Sequence, residues 1–338
     1  MNALVPAWLT ATIFFLGLSL GALYVLAIHD LSGGRWGTTL RPALMAIATA
    51  LPVAAVAMIV PLIGWRFVLP WAGEPANALS ASARSKLAYF DPAFLALRTV
   101  ACLAIWVGLA WWIARPVREE GRSRRAIGTL VLLMVTMLSF ATDWMIAPDP
   151  QFYSTIYPAM ESSGELAAAF ALACLLTLRA APFRNDAEPE NGTLLSEDIA
   201  NLLFGFVLLW TYMTFMQWLI VWSGDLPDEI GWYLARGGAA WTAVLLVMVA
   251  LHFALPSAAL LSGSVKRNPR GVALVAALVV TGHLLDVIWR LSPAFGGGFA
   301  PVGSNLLAFA VVGAGWLVAV LSAISGRAWW LGWRNAHA

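Results

Sequence analysis

Residues 6–28 read PAWLTATIFFLGLSLGALYVLAI and contain no charged side chain. A helix needs about 20 mostly apolar residues to cross the hydrocarbon core of a bilayer. The whole chain of 338 residues has the same character, because it is 61% hydrophobic and only 11% charged. A soluble domain carries about a quarter charged residues, so the composition excludes an ordinary soluble protein. The sequence therefore predicts an integral membrane protein.

Nine apolar segments are long enough to span a membrane. Backbone groups in lipid must bond within their own segment, which predicts an all-α protein rather than an open sheet. Helix-breaking pairs stand between the segments, such as Asp-Pro at 91–92 and 149–150 and Asn-Pro at 268–269. The predicted spans are 6–28, 43–65, 93–113, 126–146, 158–178, 202–222, 240–261, 272–291 and 304–324.

The distribution of basic residues predicts the orientation of the chain. Alternate loops and the C-terminal tail hold 14 of the 20 Lys and Arg residues, which is typical of cytoplasmic segments. The N-terminus is therefore expected outside and the C-terminus in the cytoplasm. No basic residue precedes Arg35, so the pattern of a cleavable signal peptide is absent. The opposite side receives six basic residues: Arg66, Arg84, Lys86, Arg98, Arg236 and Arg290.

A polar linker at 185–199 (NDAEPENGTLLSEDI) predicts the organisation of the chain. It separates an N-terminal membrane bundle of about five helices, residues 1–184, from a C-terminal bundle of about four helices with a short tail, residues 200–338. The linker is too short to form a soluble domain. Cys102 and Cys174 each stand alone in an apolar run and fit no metal or haem-attachment motif, so small core residues are expected there.

A polar stripe on the eighth span is a candidate for function, because ionisable residues are expensive to place in a membrane. His283, Asp286 and Arg290 recur at i, i+3 and i+7 and so share one helical face. Asp286 and Arg290 are predicted to pair. The stripe fits a salt bridge between helices, or a proton or quinone-linked path in which His283 supplies a group that titrates near neutrality.

His252 on the seventh span and His283 on the eighth are expected at similar depth. Counting at 1.5 Å per residue places both roughly 14–17 Å from the inner surface. Two such histidines can ligate a haem b. Four-helix cytochromes b usually carry two His pairs, which favours a structural histidine or a proton relay instead. The sequence contains no motif that predicts a bound metal.

Residues 140–160, FATDWMIAPDPQFYSTIYPAM, bring three acids to the outer ends of two spans. Asp143 ends the fourth span, and Glu161 and Glu165 share a face at the start of the fifth. No basic residue lies at positions 126–178, so these acids are expected to be unpaired and hydrated. They suit proton release to the outside or docking of a soluble partner. A solvated hairpin with acids that cap a helix N-terminus is the alternative.

The outer end of the sixth span carries amide and aromatic side chains. The aromatic residues that follow it, Trp222, Trp232 and Tyr233, are expected in an interfacial belt at the level of the headgroups. The proton-path candidates are Asp143, Glu161, Glu165, His252, His283, Asp286 and Arg290. The quinone candidates are Tyr212, Gln217, His283 and Asp286.

Several stretches, in a fixed order, resemble the ActF-type subunits of alternative complex III, which are NrfD-like (polysulfide-reductase-like) membrane proteins. FATDWMIAPDPQFYSTIY is similar to an Asp-Trp…Asp-Pro…Ser-Thr-Ile hairpin of that family. The other stretches are IHDLSGGRWGTTLRP (28–42), KLAYFDPAFLALRTVACLAIW (86–106), WTYMTFMQWLIVWSGDLPDEIGWYLAR (210–236), LHFALPSAALLSGSVKRNP (251–269) and HLLDVIWRLSP (283–293).

The resemblance implies a pair of four-helix bundles plus an extra helix, in a respiratory quinol:electron-acceptor oxidoreductase of the bacterial inner membrane. It implies a scaffold and proton conduit that binds no cofactor of its own, with quinol as the one candidate ligand. The implied partners are an ActC-like NrfD paralogue, an iron–sulfur protein, multihaem and monohaem cytochromes c, and a terminal oxidase, with the haem c and iron–sulfur clusters on those partners. No nucleic acid is implied. The residues carried over by position are Asp143, Tyr212, Gln217, Glu229, His252, His283 and Asp286.

The chain departs from the family pattern in several places. Ten spans are usual in the family and nine are predicted here, which agrees with an outside N-terminus. Ala147-Pro148 replaces an expected Ser-Leu, Gln151 replaces a common His, and the second span begins RPALMAI without an acid. Two alternatives stay open: a quinol-binding subunit in its own right and a secondary transporter. Internal repeats and pairs of broken helices are typical of secondary transporters, and the sequence shows neither clearly.

Overall fold

The computed structural model describes residues 3–75, 77–178, 194–225, 227–296 and 302–326. Within these ranges every regular element is helical, and nine helices are long and apolar enough to cross a membrane. The protein is therefore an all-α, multi-pass membrane protein, and this prediction is confirmed. The spanning helices are α1 Leu4–Ser32, α2 Arg35–Ile63, α3 Pro92–Ala114, α4 Glu119–Ile146, α5 Tyr157–Leu178, α6 Leu195–Ser223, α7 Ala239–Leu260, α8 Pro269–Phe295 and α9 Ser304–Ile324.

Helices α3 and α8 begin at helix-breaking sequences, where the sequence predicted boundaries between spans. The Asp91 carboxylate accepts hydrogen bonds from the backbone N–H groups of Ala93 and Phe94, both at 3.1 Å, at the start of α3. The Asn268 side chain accepts from the N–H of Arg270 at 3.0 Å at the start of α8. In both helices proline occupies the first turn, where its missing N–H is not needed.

Several spans contain irregular turns, and short helices connect them. α2 consists of Arg35–Thr49, Leu51–Ala57 and Ile59–Ile63, and α8 ends in the 3₁₀ turn Ser292–Phe295. α4 ends in a π-helical turn at Thr142–Ile146, and α7 contains another at Ala250–Ala254. The connecting helices are Trp65–Val68, Pro70–Gly73, Ala81–Lys86, Pro227–Leu234 and Gly263–Lys266.

Helix α1 lies at the centre of the bundle. In its most apolar window 89% of the residues are buried, compared with 22% in α7, so α1 is enclosed by protein and α7 lies at the periphery. α1 packs against α2, α4, α5 and α9. Gly17 and Gly21 stand one turn apart on α1, and a Cβ at Gly21 would lie 2.0 Å from the Glu165 carbonyl oxygen. The two glycines therefore allow the backbones of α1 and α5 to approach closely.

The spans pack as two groups of four with a ninth helix alongside. α1–α4 pack among themselves, as do α5–α8, and α9 packs on α1 and α2. α5 also contacts α1, α2 and α4, so it lies where the two groups meet. Most of the predicted linker at 185–199 lies outside the described residues, and the division of the chain there stays a prediction.

Tryptophan side chains join helices by donating their indole N–H groups. The acceptors are side-chain oxygens of neighbouring spans in three pairs, Trp106–Thr136 at 2.7 Å, Trp144–Thr99 at 3.0 Å and Trp316–Ser19 at 2.9 Å. Buried indole N–H groups usually have such partners. Cys102 and Cys174 are buried free thiols, which confirms their interpretation as core residues.

The predicted aromatic belt is only partly correct. Trp222 is 64% exposed on the outside of α6, as expected for an interfacial residue. Trp232 is 3% exposed, and it stacks on Phe152 with ring centroids 4.9 Å apart. The Arg236 guanidinium lies 3.4 Å from the centroid of the Trp232 ring. Trp232 is therefore a core residue, because the hairpin after α4 and a buried arginine cover it.

Candidate functional site: a buried cluster of acids and histidines

The predicted pair of Asp286 and Arg290 forms the centre of the site. The Arg290 Nε donates to Asp286 Oδ1 at 2.9 Å, and its Nη2 donates to Oδ2 at 2.8 Å. Both residues are at most 2% exposed, so the two-point contact lies deep in the bundle. The Trp210 indole on α6 also donates to Asp286 Oδ2, at 3.1 Å. The arginine fork and the indole together fix the plane of this carboxylate.

Glu161 belongs to the same cluster, although 129 residues separate it from its partner. The Arg290 Nη1 donates to a carboxylate oxygen of Glu161, which joins α5 to α8. Glu161 is 2% exposed. The expectation that this glutamate is hydrated and unpaired is therefore wrong. Its base comes from a distant span, so the absence of basic residues around it in the sequence was misleading.

Glu165 lies one helical turn further along α5 and is also buried, at 1% exposure. A Cβ at Gly17 would lie 3.0 Å from the Glu165 Cγ and Oε1, so this side chain packs against the glycine face of α1. Its Oε2 is a buried atom without a hydrogen-bond partner. The nearby Tyr24 hydroxyl shares a 3.2 Å hydrogen bond with Ser162. Glu165 is thus enclosed by protein, and the expectation of hydration is wrong for it as well.

Asp143 forms a separate ion pair on the other group of helices. The Arg98 Nε and Nη2 atoms on α3 each donate to one Asp143 carboxylate oxygen at 2.9 Å. Asp143 is 1% exposed, which corrects the prediction of an unpaired acid at the surface. The Arg98 guanidinium also lies 3.7 Å from the centroid of the Tyr89 ring. Burial, and secondarily the Asp143 carboxylate, raise the pKa of Tyr89 above its usual value.

His252 and His283 face each other between α7 and α8, as their predicted depths indicated. Their ring centroids are 5.8 Å apart, and neither residue has measurable exposure. Trp210 stacks on His252 with a centroid distance of 3.8 Å, and Phe14 lies 5.9 Å from His283. Aromatic side chains thus pack closely around both imidazoles. The haem alternative stays untested.

Neither imidazole has a hydrogen-bond partner. Nδ1 and Nε2 of His252, and Nδ1 and Nε2 of His283, are all buried and unpartnered. The nearest carboxylate contact is between His283 Nδ1 and Asp286 Oδ2, at 3.8 Å. Buried polar atoms are almost always bonded, so four such nitrogens at one place call for an explanation.

Local backbone features bring these side chains together. His252 lies in the π-helical turn Ala250–Ala254, which shifts its direction relative to a regular helix. A Cβ at Gly282 would lie 2.6 Å from the His252 Cβ, so only glycine allows this approach of α8 to α7. A Cβ at Gly164 would lie 3.1 Å from the His283 ring. The sequence gives no sign of this π turn or of the one at Thr142–Ile146, which contains Asp143.

The quinone candidates on α6 lie outside this cluster. Tyr212 is 58% exposed on the outer surface of α6. Gln217 is 3% exposed and lines a half-open cavity of about 330 Å³ between α4, the hairpin that follows it and α6. The Ser154 hydroxyl donates to the Gln217 side-chain oxygen at 2.5 Å, and Glu229 lines the same cavity. The structure therefore separates Gln217 from His283 and Asp286.

Two buried arginines escaped prediction as site residues. Arg236 donates to the backbone carbonyls of Trp289 and Arg290 at the end of α8 and to that of Trp232. Burial lowers the pKa of Arg236 to about 10, so it stays protonated at neutral pH. Arg125 on α4 donates to Asp30 at the end of α1 at 3.0 Å. A lone Asp or Arg next to an apolar run is the signal that could have identified the Asp30–Arg125 pair.

No family model matches the chain, and no curated protein matches its sequence. The chemistry of the site must therefore be argued from its own groups. The buried cluster consists of three carboxyl groups, two imidazoles and one guanidinium. The guanidinium bonds to two of the three acids. Such a cluster can hold and exchange protons, or it can bind a cation.

Proposed function

We propose that this chain is a membrane subunit of a respiratory quinol:electron-acceptor oxidoreductase of the alternative complex III type, located in a bacterial inner membrane with its N-terminus outside. It serves there as a scaffold and as a conduit for protons. The ordered resemblance along residues 20–293 supports the family. Haem c and iron–sulfur clusters are assigned to partner subunits, because the resemblance places them there.

One observation carries the proton-conducting role. Glu161, Glu165 and Asp286 are all buried, whereas a single guanidinium, Arg290, bonds to two of them. Arg236 lies at the same end of α8 but donates to backbone carbonyls. The cluster therefore has more acid than base in a region of low dielectric, where uncompensated charge is very costly. Protons on the two glutamates of α5 would restore neutrality, and a site that stores protons in this way is suited to pass them on.

Purification from native membranes tests the assignment to a complex. A C-terminal affinity tag on the full chain should bring down multihaem and iron–sulfur proteins, seen as c-type haem absorbance and identified by mass spectrometry. A tagged multi-pass protein of unrelated function in the same membrane is the control for non-specific capture. A chain that purifies alone would overturn the proposal and favour a transporter.

The proton role needs a separate readout on the assembled complex. Glu165→Gln keeps the size and hydrogen-bonding capacity of a protonated glutamate, so the complex should still assemble. We expect this variant to release fewer protons per electron in vesicles that oxidise quinol, while quinol turnover with an uncoupler is retained. Glu74→Gln, which removes an exposed acid, is the matched control. An unchanged proton yield in Glu165→Gln would remove Glu165 from the path.

A second candidate function is quinol binding by this chain itself, and the cavity at Gln217 favours it. Small-molecule sites are mostly apolar cavities of about 300–1,000 Å³ with a few polar groups, and about 330 Å³ lies within that range. Gln217, Ser154 and Glu229 supply polar groups beside Leu138 and Ile220. A photoreactive quinone should then label the chain at the cavity, and Gln217→Leu should reduce the labelling. Labelling that is confined to a partner subunit would exclude this function.

A further inference from the structure

Three potential metal ligands from two helices meet inside the bundle. His252 on α7 and His283 and Asp286 on α8 each offer one ligand atom, and these atoms all lie within 4.8 Å of one another. All three residues are at most 1% exposed. Two imidazoles and one carboxylate form a ligand set that binds divalent transition metals such as Zn²⁺ and Fe²⁺.

The imidazoles are free to coordinate. All four ring nitrogens are buried and lack a hydrogen-bond partner, so no competing bond has to be broken. A buried structural histidine would normally donate from one nitrogen to a carbonyl or carboxylate. A metal ion between the rings explains at least one unpartnered nitrogen on each histidine. The same ion would contact Asp286, which already lies 3.8 Å from His283 Nδ1.

Neighbouring side chains hold the three ligands in place. Trp210 stacks on His252 and donates to Asp286 Oδ2 at 3.1 Å, so one side chain orients two of the ligands. Arg290 fixes the same carboxylate from the other side. Metal ligands are usually oriented by such outer contacts. Gly282 lacks the Cβ that would keep α8 away from α7 at His252, which lies in the π turn.

The geometry requires a small closure. Ligand atoms around a tetrahedral zinc ion lie about 3.3 Å apart, because the metal–nitrogen distance is about 2.0–2.1 Å. The present separations of up to 4.8 Å would therefore have to shorten by about 1.5 Å when an ion binds.

We propose that His252, His283 and Asp286 form a binding site for a divalent transition-metal ion of the zinc type. The site is a separate claim from the function proposed above. That function assigns protons to Glu161 and Glu165 and was tested through partners and proton yield, whereas the metal site is read on the isolated full chain. Each can fail without the other.

Metal analysis of the full chain in detergent tests the site. The chain is purified in chelator-washed buffers, incubated with Zn²⁺ or Co²⁺, and desalted before elemental analysis. We expect about one bound ion per chain, and d–d absorption of the Co²⁺ form typical of a low-coordinate site. X-ray absorption of the Zn²⁺ form should show nitrogen and oxygen neighbours with imidazole scattering. This measurement on the unaltered chain does not depend on whether variants fold.

Three variants then locate the ion. His252→Gln and His283→Asn should each lose most of the bound metal, whereas His29→Gln, which alters a buried histidine outside the cluster, should retain it. Absence of stoichiometric metal and of Co²⁺ absorption in the unaltered chain would overturn the proposal. Equal metal content in the His252 and His283 variants and in the control would also overturn it, since the ion would then be bound elsewhere. Should a variant fail to fold, the scattering data on the unaltered chain decide, because an ion without imidazole neighbours contradicts the site.

Discussion

Arg290 on α8 bonds at once to Asp286 on its own helix and to Glu161 on α5, and so one guanidinium joins the two helices. The three residues are each at most 2% exposed. An ion pair of this kind contributes little net stability when intact, because both charges lose their hydration. Removing only one of the charged partners destabilises the protein, because an uncompensated charge then stays inside the bundle.

Arg290→Met should therefore destabilise the protein strongly. Loss of one partner from a buried ion pair costs about 3–5 kcal/mol, because the remaining charge has no compensation. We expect this loss in the free energy of unfolding measured by titration with sodium dodecyl sulfate from mixed micelles. Adding Glu161→Gln and Asp286→Asn to Arg290→Met should recover a large part of it. A triple variant that is no more stable than Arg290→Met would contradict this account.

The pair of Arg98 and Asp143 allows a cleaner measurement, because it joins one base to a single acid. Arg98→Gln and Asp143→Asn should each lower the free energy of unfolding. The double variant should be less destabilised than the sum of the two, with a coupling energy of about 1–3 kcal/mol. The same unfolding titration checks it. Additive effects would show that the two-point contact at 2.9 Å contributes no specific stabilisation.

The sequence was sufficient for the architecture but not for the pairing of charges. Long apolar runs are local signals, and for this reason all nine spans and the Asp91 and Asn268 helix starts were predictable. The pairing of Arg98 with Asp143 depends on which spans pack together. A single sequence carries no signal for the packing of distant spans. The stretch around Asp143 therefore suggested unpaired acids.

The π turns and the close glycines were unpredictable for another reason. A π turn results from packing around an extra residue and has no strong residue preference, so His252 gave no sign of its altered direction. Gly282 was one glycine among many in the spans. Only its 2.6 Å approach to His252 shows that it has to be a glycine. The shared face of His283, Asp286 and Arg290 and the depth of His252 were thus predicted, but the bond between Arg290 and Glu161 was not.

Gly282→Ala should disturb the packing of α7 on α8. The added Cβ would lie 2.6 Å from the His252 Cβ and 2.7 Å from its backbone nitrogen, so one helix must move. We expect a lower midpoint of thermal unfolding, followed by intrinsic tryptophan fluorescence in detergent. Gly205→Ala on α6 is the matched control, because a Cβ there meets no atom within 4 Å. A midpoint for Gly282→Ala equal to that of the control would show that α8 can shift without loss of packing.

Labelling of introduced cysteines tests the orientation predicted from the basic residues. Glu74 and Glu119 are both exposed acids, and the distribution of Lys and Arg predicts that the first lies outside and the second in the cytoplasm. The native Cys102 and Cys174 are buried, so background labelling should be low. In intact cells Glu74→Cys should react with a membrane-impermeant maleimide and Glu119→Cys should not, whereas both should react after lysis. The reverse pattern would place the N-terminus in the cytoplasm. Proton release on the outer side would then lose the support of the predicted orientation.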